Sequence, residues 1–307
     1  MLRPEEQASI LTDENILFAF ELFVNRPPTS EELSRLHKAA KSPRGLANHF
    51  FRTREFRKRL AAYQAMVAQR NPPALIHLHI PKCGGTSLTS IIGASRSSGE
   101  SLAIDHGDIE RFLQTPDSEL RRLNFIFGHL EYGFASNLPQ GAVYVCALRR
   151  PGPRIYSYFN YVKQTQAHPL HSFVYNADMS FGQFLEFANS NLGQRFECEN
   201  GQVKRLAGKM QILSPSVDRE LFQRSVRNMF ADDMIIGLTE NLDLLLQKLQ
   251  QRDFIGKYTV VVKNALSSSD SFEDAISSLS DFQLGVLQDF TYWDNMLYDI
   301  AESYVLG

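Results

Sequence analysis

Lys82, Gly84, Gly85, Thr86 and Ser87 stand close together in the stretch Leu75-Ile76-His77-Leu78-His79-Ile80-Pro81-Lys82-Cys83-Gly84-Gly85-Thr86-Ser87-Leu88. An ammonium, two hydroxyls and a backbone that glycine lets come close are the parts of an anion site, and a phosphate suits them. An apolar run precedes the loop, and a helical pattern (Leu88, Ile91, Ile92) follows it at once. Strand, tight turn and helix start would aim successive N–H groups and partial positive charge at one point. The common nucleotide loop needs Gly, four residues, Gly, Lys and then Ser or Thr. Here Lys82 precedes the glycines, so its charge arrives from the strand side. A bare strand–Gly-Gly–helix turn can equally be a tight turn and nothing more. The ordered set Pro-Lys-x-Gly-Gly-Thr-Ser is far more specific.

A second group is Leu148-Arg149-Arg150-Pro151-Gly152-Pro153-Arg154-Ile155-Tyr156-Ser157. An arginine at a strand end and a serine two turns into the next helix can meet at one anion. The guanidinium offers a planar fork and the hydroxyl one further bond. Arg154 reads equally as a structural partner or an anion contact. His129, after Gly128, is a candidate general base, since an ordinary imidazole titrates near neutral pH; Glu131 is its rival. Glu199-Asn200-Gly201-Gln202-Val203-Lys204-Arg205-Leu206 offers Arg205, and less directly Lys204, as a further phosphate contact, or else a helix cap with a solvent-facing cationic pair. His77 and His79 share one face of the first strand and are read as structural. His106, His168 and His171 have no context in the sequence.

The first loop resembles the one that binds the 5′-phosphosulfate of 3′-phosphoadenosine-5′-phosphosulfate (PAPS) in sulfotransferases. It is most similar to that of the Golgi-type and bacterial carbohydrate sulfotransferases, whose loop reads His-Ile-Pro-Lys-Thr-Gly-Gly-Thr-Ser, with Cys83 here in place of Thr. The second group resembles the same family's 3′-phosphate motif, with Arg149 and Ser157 at the contact positions and Arg150 where Asp is usual. The Asn200-to-Gly208 segment and the strand–turn–helix at Ile236–Leu242 also resemble family segments, so the resemblance runs from about residue 75 to 300. It implies a cofactor site made by Lys82, Cys83, Gly84, Gly85, Thr86, Ser87, Arg149, Ser157 and Arg205. Lys82 would offset charge on the leaving oxygen, and His129 would take the acceptor proton. It further implies transfer of a sulfuryl group from PAPS to a hydroxyl, leaving 3′,5′-ADP. No metal is required, and a glycan is the favoured acceptor.

These residues need elements to position them. Leu75–Ile80, Phe125–Phe127 and Ala142–Leu148 read as strands, Leu102–Ile104 and Asp233–Gly237 as two more, with helical patterns between. Strands alternating with helices imply an α/β fold: a P-loop-like parallel sheet flanked by helices. In such sheets ligands sit beyond the carboxyl ends of the strands, where Lys82, His129 and Arg149 each follow a strand directly. Residues 1–72 read as helices only, a small all-helical domain of open role ahead of a sulfotransferase-like domain at 73–307. Asp13 is the expected cap of the first helix, Thr29 with Glu32 forms a capping box, Ser42-Pro43 starts a third helix, and a fourth runs from about Thr53 to Gln69. The basic stretch from Arg52 to Arg70 reads first as a solvated helix face, and less as a polyanion contact. Thr239 is the expected cap of an amphipathic helix, Leu266–Ser271 reads as a Ser-rich loop, and about Asp281–Tyr304 as the last helix.

The chain has 307 residues, 43% of them hydrophobic, and a net charge of -2. That balance argues against a general nucleic-acid binder. Three cysteines, Cys83, Cys146 and Cys198, cannot all pair within the chain and form no close-spaced metal motif, which points to reduced, cytoplasmic thiols; together with the resemblance this implies a bacterial-type enzyme. No signal-peptide layout and no membrane-length apolar run is read. A thiol at an electropositive helix start is expected to be partly ionised and reactive, against a passive Thr replacement. Two other classes stay open: a P-loop nucleotide kinase, and a non-catalytic module that binds PAPS without turnover.

Overall fold

The computed structural model describes residues 12–40, 42–59, 72–96, 99–104, 108–135, 138–208, 216–258 and 271–307. Two compact units divide the chain, Met1–Asn71 and Pro72–Gly307. The first holds helices Asp13–Val24, Ser30–Ala39 and Pro43–Arg52, and residues 54–59 are helical too. The rest of the expected fourth helix lies outside the described residues. Ile16, Phe20, Leu36, Leu46 and Phe50 make the core of this unit, with the Phe20 and Phe50 rings edge to face at 4.9 Å. The Thr29–Glu32 capping box and the Ser42-Pro43 start are present. The first cap is Thr12 rather than Asp13: Thr12 accepts from the Asn15 amide, the Asn15 side chain bonds back, and Asp13 falls in the first turn.

The second unit is an α/β layer fold. Strands β1 (Ala74–Leu78), β2 (Ser101–Ile104), β3 (Phe125–Gly128), β4 (Ala142–Leu148) and β5 (Met234–Leu238) form one parallel sheet in the order β2-β3-β1-β4-β5. β1 sits at the centre and every one of its residues is buried, as a strand covered on both faces must be. Alternation along it divides the core. Ala74, Ile76 and Leu78 pack with Ile126, Cys146, Leu148, Ile236 and the C-terminal helix residues Leu297, Tyr298 and Ala301. Leu75 turns the other way, against Leu88, Ile92, Val145, Leu245 and Leu249.

The helices that shape the site follow these strands. Gly85–Gly93 comes after β1, Pro151–Gln164 after β4, then Leu192–Cys198 and Gly201–Leu206, and Asp281–Leu306 ends the chain. Thr239 is not a cap: Thr239–Asn241 makes a 3-10 turn ahead of Leu242–Gln251, and the buried Thr239 Oγ1 has no partner. Of the Ser-rich loop only Ser271 is described, and it caps Phe272–Ser277. His106 lies outside the described residues. Among the described residues no helix is long and apolar enough to cross a membrane.

From β1 the chain crosses to β2 on one side of the sheet, while β4 leads to β5 on the other. The carboxyl ends of β1 and β4 therefore flank the point where the strand order reverses, the place where an open α/β sheet leaves a crevice.

Candidate anion site

β1 ends at Leu78, and the chain turns through Pro81-Lys82-Cys83-Gly84 into the Gly85–Gly93 helix. Gly84 takes φ 73° as the residue before the helix, a left-handed conformation that glycine adopts at no steric cost. Lys82 takes φ 67°, which costs a residue with a Cβ roughly 1–2 kcal/mol. That strain is held by its surroundings: Arg149, the first residue past β4, donates from Nη1 to the Lys82 carbonyl at 3.0 Å. The first N–H groups of any helix lack intrahelical acceptors, so the turn presents donors beside these two cations. Thr86 is exposed in that first turn and Ser87 is buried behind it.

Lys82 is strained electrostatically as well. Burial pushes the Lys82 ammonium below its ordinary range, and Arg149 pushes it the same way, against a weaker opposite effect from Cys83. The Lys82 Nζ lies 4.4 Å from the centroid of the Tyr161 ring. Tyr161 stands four residues after Ser157 on the Pro151–Gln164 helix, so the two share a face. Sequence reading had singled out Ser157 but not Tyr161, although the four-residue spacing was there to be seen.

One buried side chain ties this arrangement together. Gln202 is fully buried; its Oε1 accepts from the Arg149 N–H at 2.9 Å and from Cys83 Sγ at 3.5 Å, and its Nε2 donates to the Arg149 carbonyl at 2.9 Å. Asp294 in turn accepts from the Gln202 and Val203 N–H groups, and Asn200 Oδ1 accepts from those of Trp293 and Asp294. Gln202 was visible in the sequence as one letter of the 200–208 segment. Its clamp on the end of β4 was not.

The expectation of an ionised thiol at Cys83 is overturned. The side chain is 1% exposed and points inward, and burial pushes the thiol up to about 12 despite Arg154 and Arg149 nearby. The charge of the loop favours the thiolate, and burial outweighs it. The thiol takes no part in the anion site. Cys146 and Cys198 are free and buried as well.

Arg205 also lies beneath the loop rather than on it. Only 2% exposed, it donates to Glu197 Oε2 at 2.6 Å and to the Gly201 carbonyl at 3.1 Å. Arg154, 1% exposed, bonds the other oxygen of Glu197 at 3.0 Å. Its position resolves as structural pairing. Burial raises the Glu197 carboxyl, but Arg205 and Arg154 outweigh it, so the group is held below its ordinary range. The Nε atoms of both arginines are buried without partners. Lys204 is buried too, 3.8 Å from Glu199. Arg150 is exposed, pairs with Glu302 at 2.6 Å and lies over the Tyr298 ring, which gives it a local partner of its own.

His129 stands just past β3, half-buried, and its ring meets that of His79 at 5.0 Å. Burial first, then His129, Arg205 and Lys82, push His79 below the ordinary imidazole range. Glu131 is half-buried nearby in sequence. Among the described residues no group of His, Cys, Asp and Glu is placed to hold a metal ion.

Lys82 and Arg149, from two strand ends, thus meet beside a helix start, with Ser157 on the helix whose Tyr161 ring lies against Lys82. No protein-family model and no curated protein matches the chain. A solved structure, the crystal structure of mouse sulfotransferase SULT7A1 complexed with PAP, is similar to it with a TM-score of 0.38 and 13% identity, covering 76% of this chain and 85% of that one.

Proposed function

We propose that the chain is a PAPS-dependent sulfotransferase acting on an acceptor hydroxyl. The observation that carries this reading is the meeting of Lys82 and Arg149 at the β1 and β4 ends, over a helix start, in a loop with the order Pro-Lys-x-Gly-Gly-Thr-Ser. PAPS, when bound, supplies a sulfuryl group joined to phosphate through a bridging oxygen, and its loss leaves 3′,5′-ADP.

The roles of the protein side chains follow from their positions. Lys82 and the first-turn N–H groups, with Thr86, would hold the 5′ end and offset charge on the leaving oxygen. Arg149, with Ser157, would hold the 3′-phosphate through a fork that matches its oxygens. The backbone of Arg149 is fixed at both N–H and C=O by Gln202, so this cation is positioned before ligand arrives. His129 would accept the acceptor proton. Cys83 contributes backbone only, and Arg205 supports from below. The loop's resemblance to that of the carbohydrate sulfotransferases makes a glycan hydroxyl the acceptor class, and three free thiols suit a reducing, cytoplasmic compartment.

Calorimetry with 3′,5′-ADP and with ATP, each with and without magnesium, tests the reading. Tight, magnesium-independent binding of 3′,5′-ADP in preference to ATP is expected, weakened about tenfold or more in Arg149→Ala, since a charge-assisted bond of ~1.5–3 kcal/mol is lost. Preference for ATP with magnesium would replace it with a nucleotide kinase.

A further inference from the structure

A row of three imidazoles runs from within β1 to the residue past β3, and the proposed chemistry uses one of them. His77, within β1, is 1% exposed, and its Nδ1 lies 2.8 Å from Thr89 Oγ1. His79 leaves the strand on the same face, and its ring stacks on His77 at 5.4 Å and 8°. Its far side meets His129 at 5.0 Å and 63°. The fit is close: a Cβ at Gly85 would come 2.1 Å from His79 Cδ2 and 2.4 Å from Nε2. Gly84 is needed for its left-handed backbone, but Gly85 has no such requirement. The second glycine of the loop makes room for a histidine.

We propose that His79 is a positioning residue for His129: its ring, clamped between His77 and Gly85, sets the direction in which the His129 imidazole faces the acceptor. The role of His129 as base rests on the sulfotransferase reading; the ring packing does not. A general base must be aimed before its basicity matters, and His129 sits past a strand end, where lateral support has to come from a neighbour. His79 can give that support without adding charge. Burial first, then His129, Arg205 and Lys82, lower it to about 4, with Glu197 opposing. It is thus neutral throughout the range in which an ordinary imidazole titrates. The charged and titratable groups around it are His77 on β1, Lys82 in the loop, His129 past β3, and Glu197 and Arg205 on the two helices beneath.

The test uses the full chain and two perturbations, His79→Asn and Gly85→Ala, the second displacing the His79 ring without changing it. The imidazole signals are followed by NMR through a pH titration, with His129 assigned from His129→Gln. Both variants are expected to move the His129 titration midpoint, whereas a passive core histidine would leave it in place; the signal position itself is not used, because losing a neighbouring ring shifts it in any case. With PAPS and an acceptor, His79→Asn is expected to lower kcat about tenfold, a part of the ~10²–10⁴ that a general base contributes, with the affinity for 3′,5′-ADP unchanged. In a His129→Gln background the same change should cost less than about twofold, because residues acting as a unit are not additive. An unmoved His129 titration in both variants, or fully additive losses, would overturn the proposal. Failure to bind 3′,5′-ADP would instead overturn the sulfotransferase reading, and the titration would still decide the role of His79.

Discussion

Arg26, in the N-terminal unit, lies between two glutamates, donating to Glu32 at 2.9 and 3.0 Å and to Glu55 at 2.8 Å through two nitrogens. In the sheet unit the proportions are reversed: Glu197 lies between Arg154 and Arg205 at 3.0 and 2.6 Å. The bond lengths are alike and the surroundings are not. The Arg26 side chain is 36% exposed, while those of Arg154 and Arg205 are 1% and 2% exposed. Water screens the first cluster, which leaves a surplus negative charge where it matters little. The second is closed off from water, and the buried Asp294 carboxyl acts on Arg154 beside Glu197. The same chemistry is screened by water in one place and shut away from it in the other.

The difference can be broken from its stronger side first. Glu197→Gln strips both buried guanidiniums of their countercharge and should destabilise the sheet unit by ~3–5 kcal/mol, read from chemical denaturation. A loss below about 1 kcal/mol would mean the arginines find water when the carboxylate goes, and that the cluster is not closed. Arg205→Met leaves the Arg154–Glu197 pair intact, so its cost should be smaller, ~1–3 kcal/mol from the hydrogen bonds lost. Arg26→Ala should cost only ~0.2–1 kcal/mol per exposed pair, and less in high salt, where surface pairs are screened.

The smallest effect is in the pH dependence of that last variant. The Arg26 hydrogen bond holds Glu32 down to about 2, from an ordinary value of 4.5. A depressed carboxyl stabilises the fold above its unfolded value and ceases to as it protonates in the folded state. The gap between wild type and Arg26→Ala should therefore be full above about pH 5 and close as the pH falls toward 2. A gap that widened in acid would reverse the sign and remove Glu32 from the account.

Much of the frame was legible in sequence, because it rests on local pattern. β4 could be read at its observed ends, Ala142–Leu148, as an apolar β-branched run, and Lys82, His129 and Arg149 could be placed after strands by counting. Local rules missed by one residue where two capping side chains stood together, as with Thr12 and Asp13. What could not be read joins distant parts. Gln202 meets Arg149 across 53 residues and Cys83 across 119, and Glu197 meets Arg154 across 43. No spacing rule spans such distances. For the same reason Arg205 reads as a phosphate contact or a solvent-facing cation, and Cys83 as a reactive thiol or a passive Thr replacement, until the fold closes over them.

The Gln202 clamp has a consequence for what can stand at that position. Its amide accepts from one backbone group of Arg149 and donates to the other, so it reads the end of β4 as a neighbouring strand would. A strand neighbour needs a whole segment of chain; here a single side chain does it, from a helix. Only an amide has both halves of that code. Glutamate would answer the N–H and repel the C=O, and leucine would leave both unanswered in a dry interior. Arg149 is thus held in register by a complementarity of the kind that pairs bases, carried on one buried side chain.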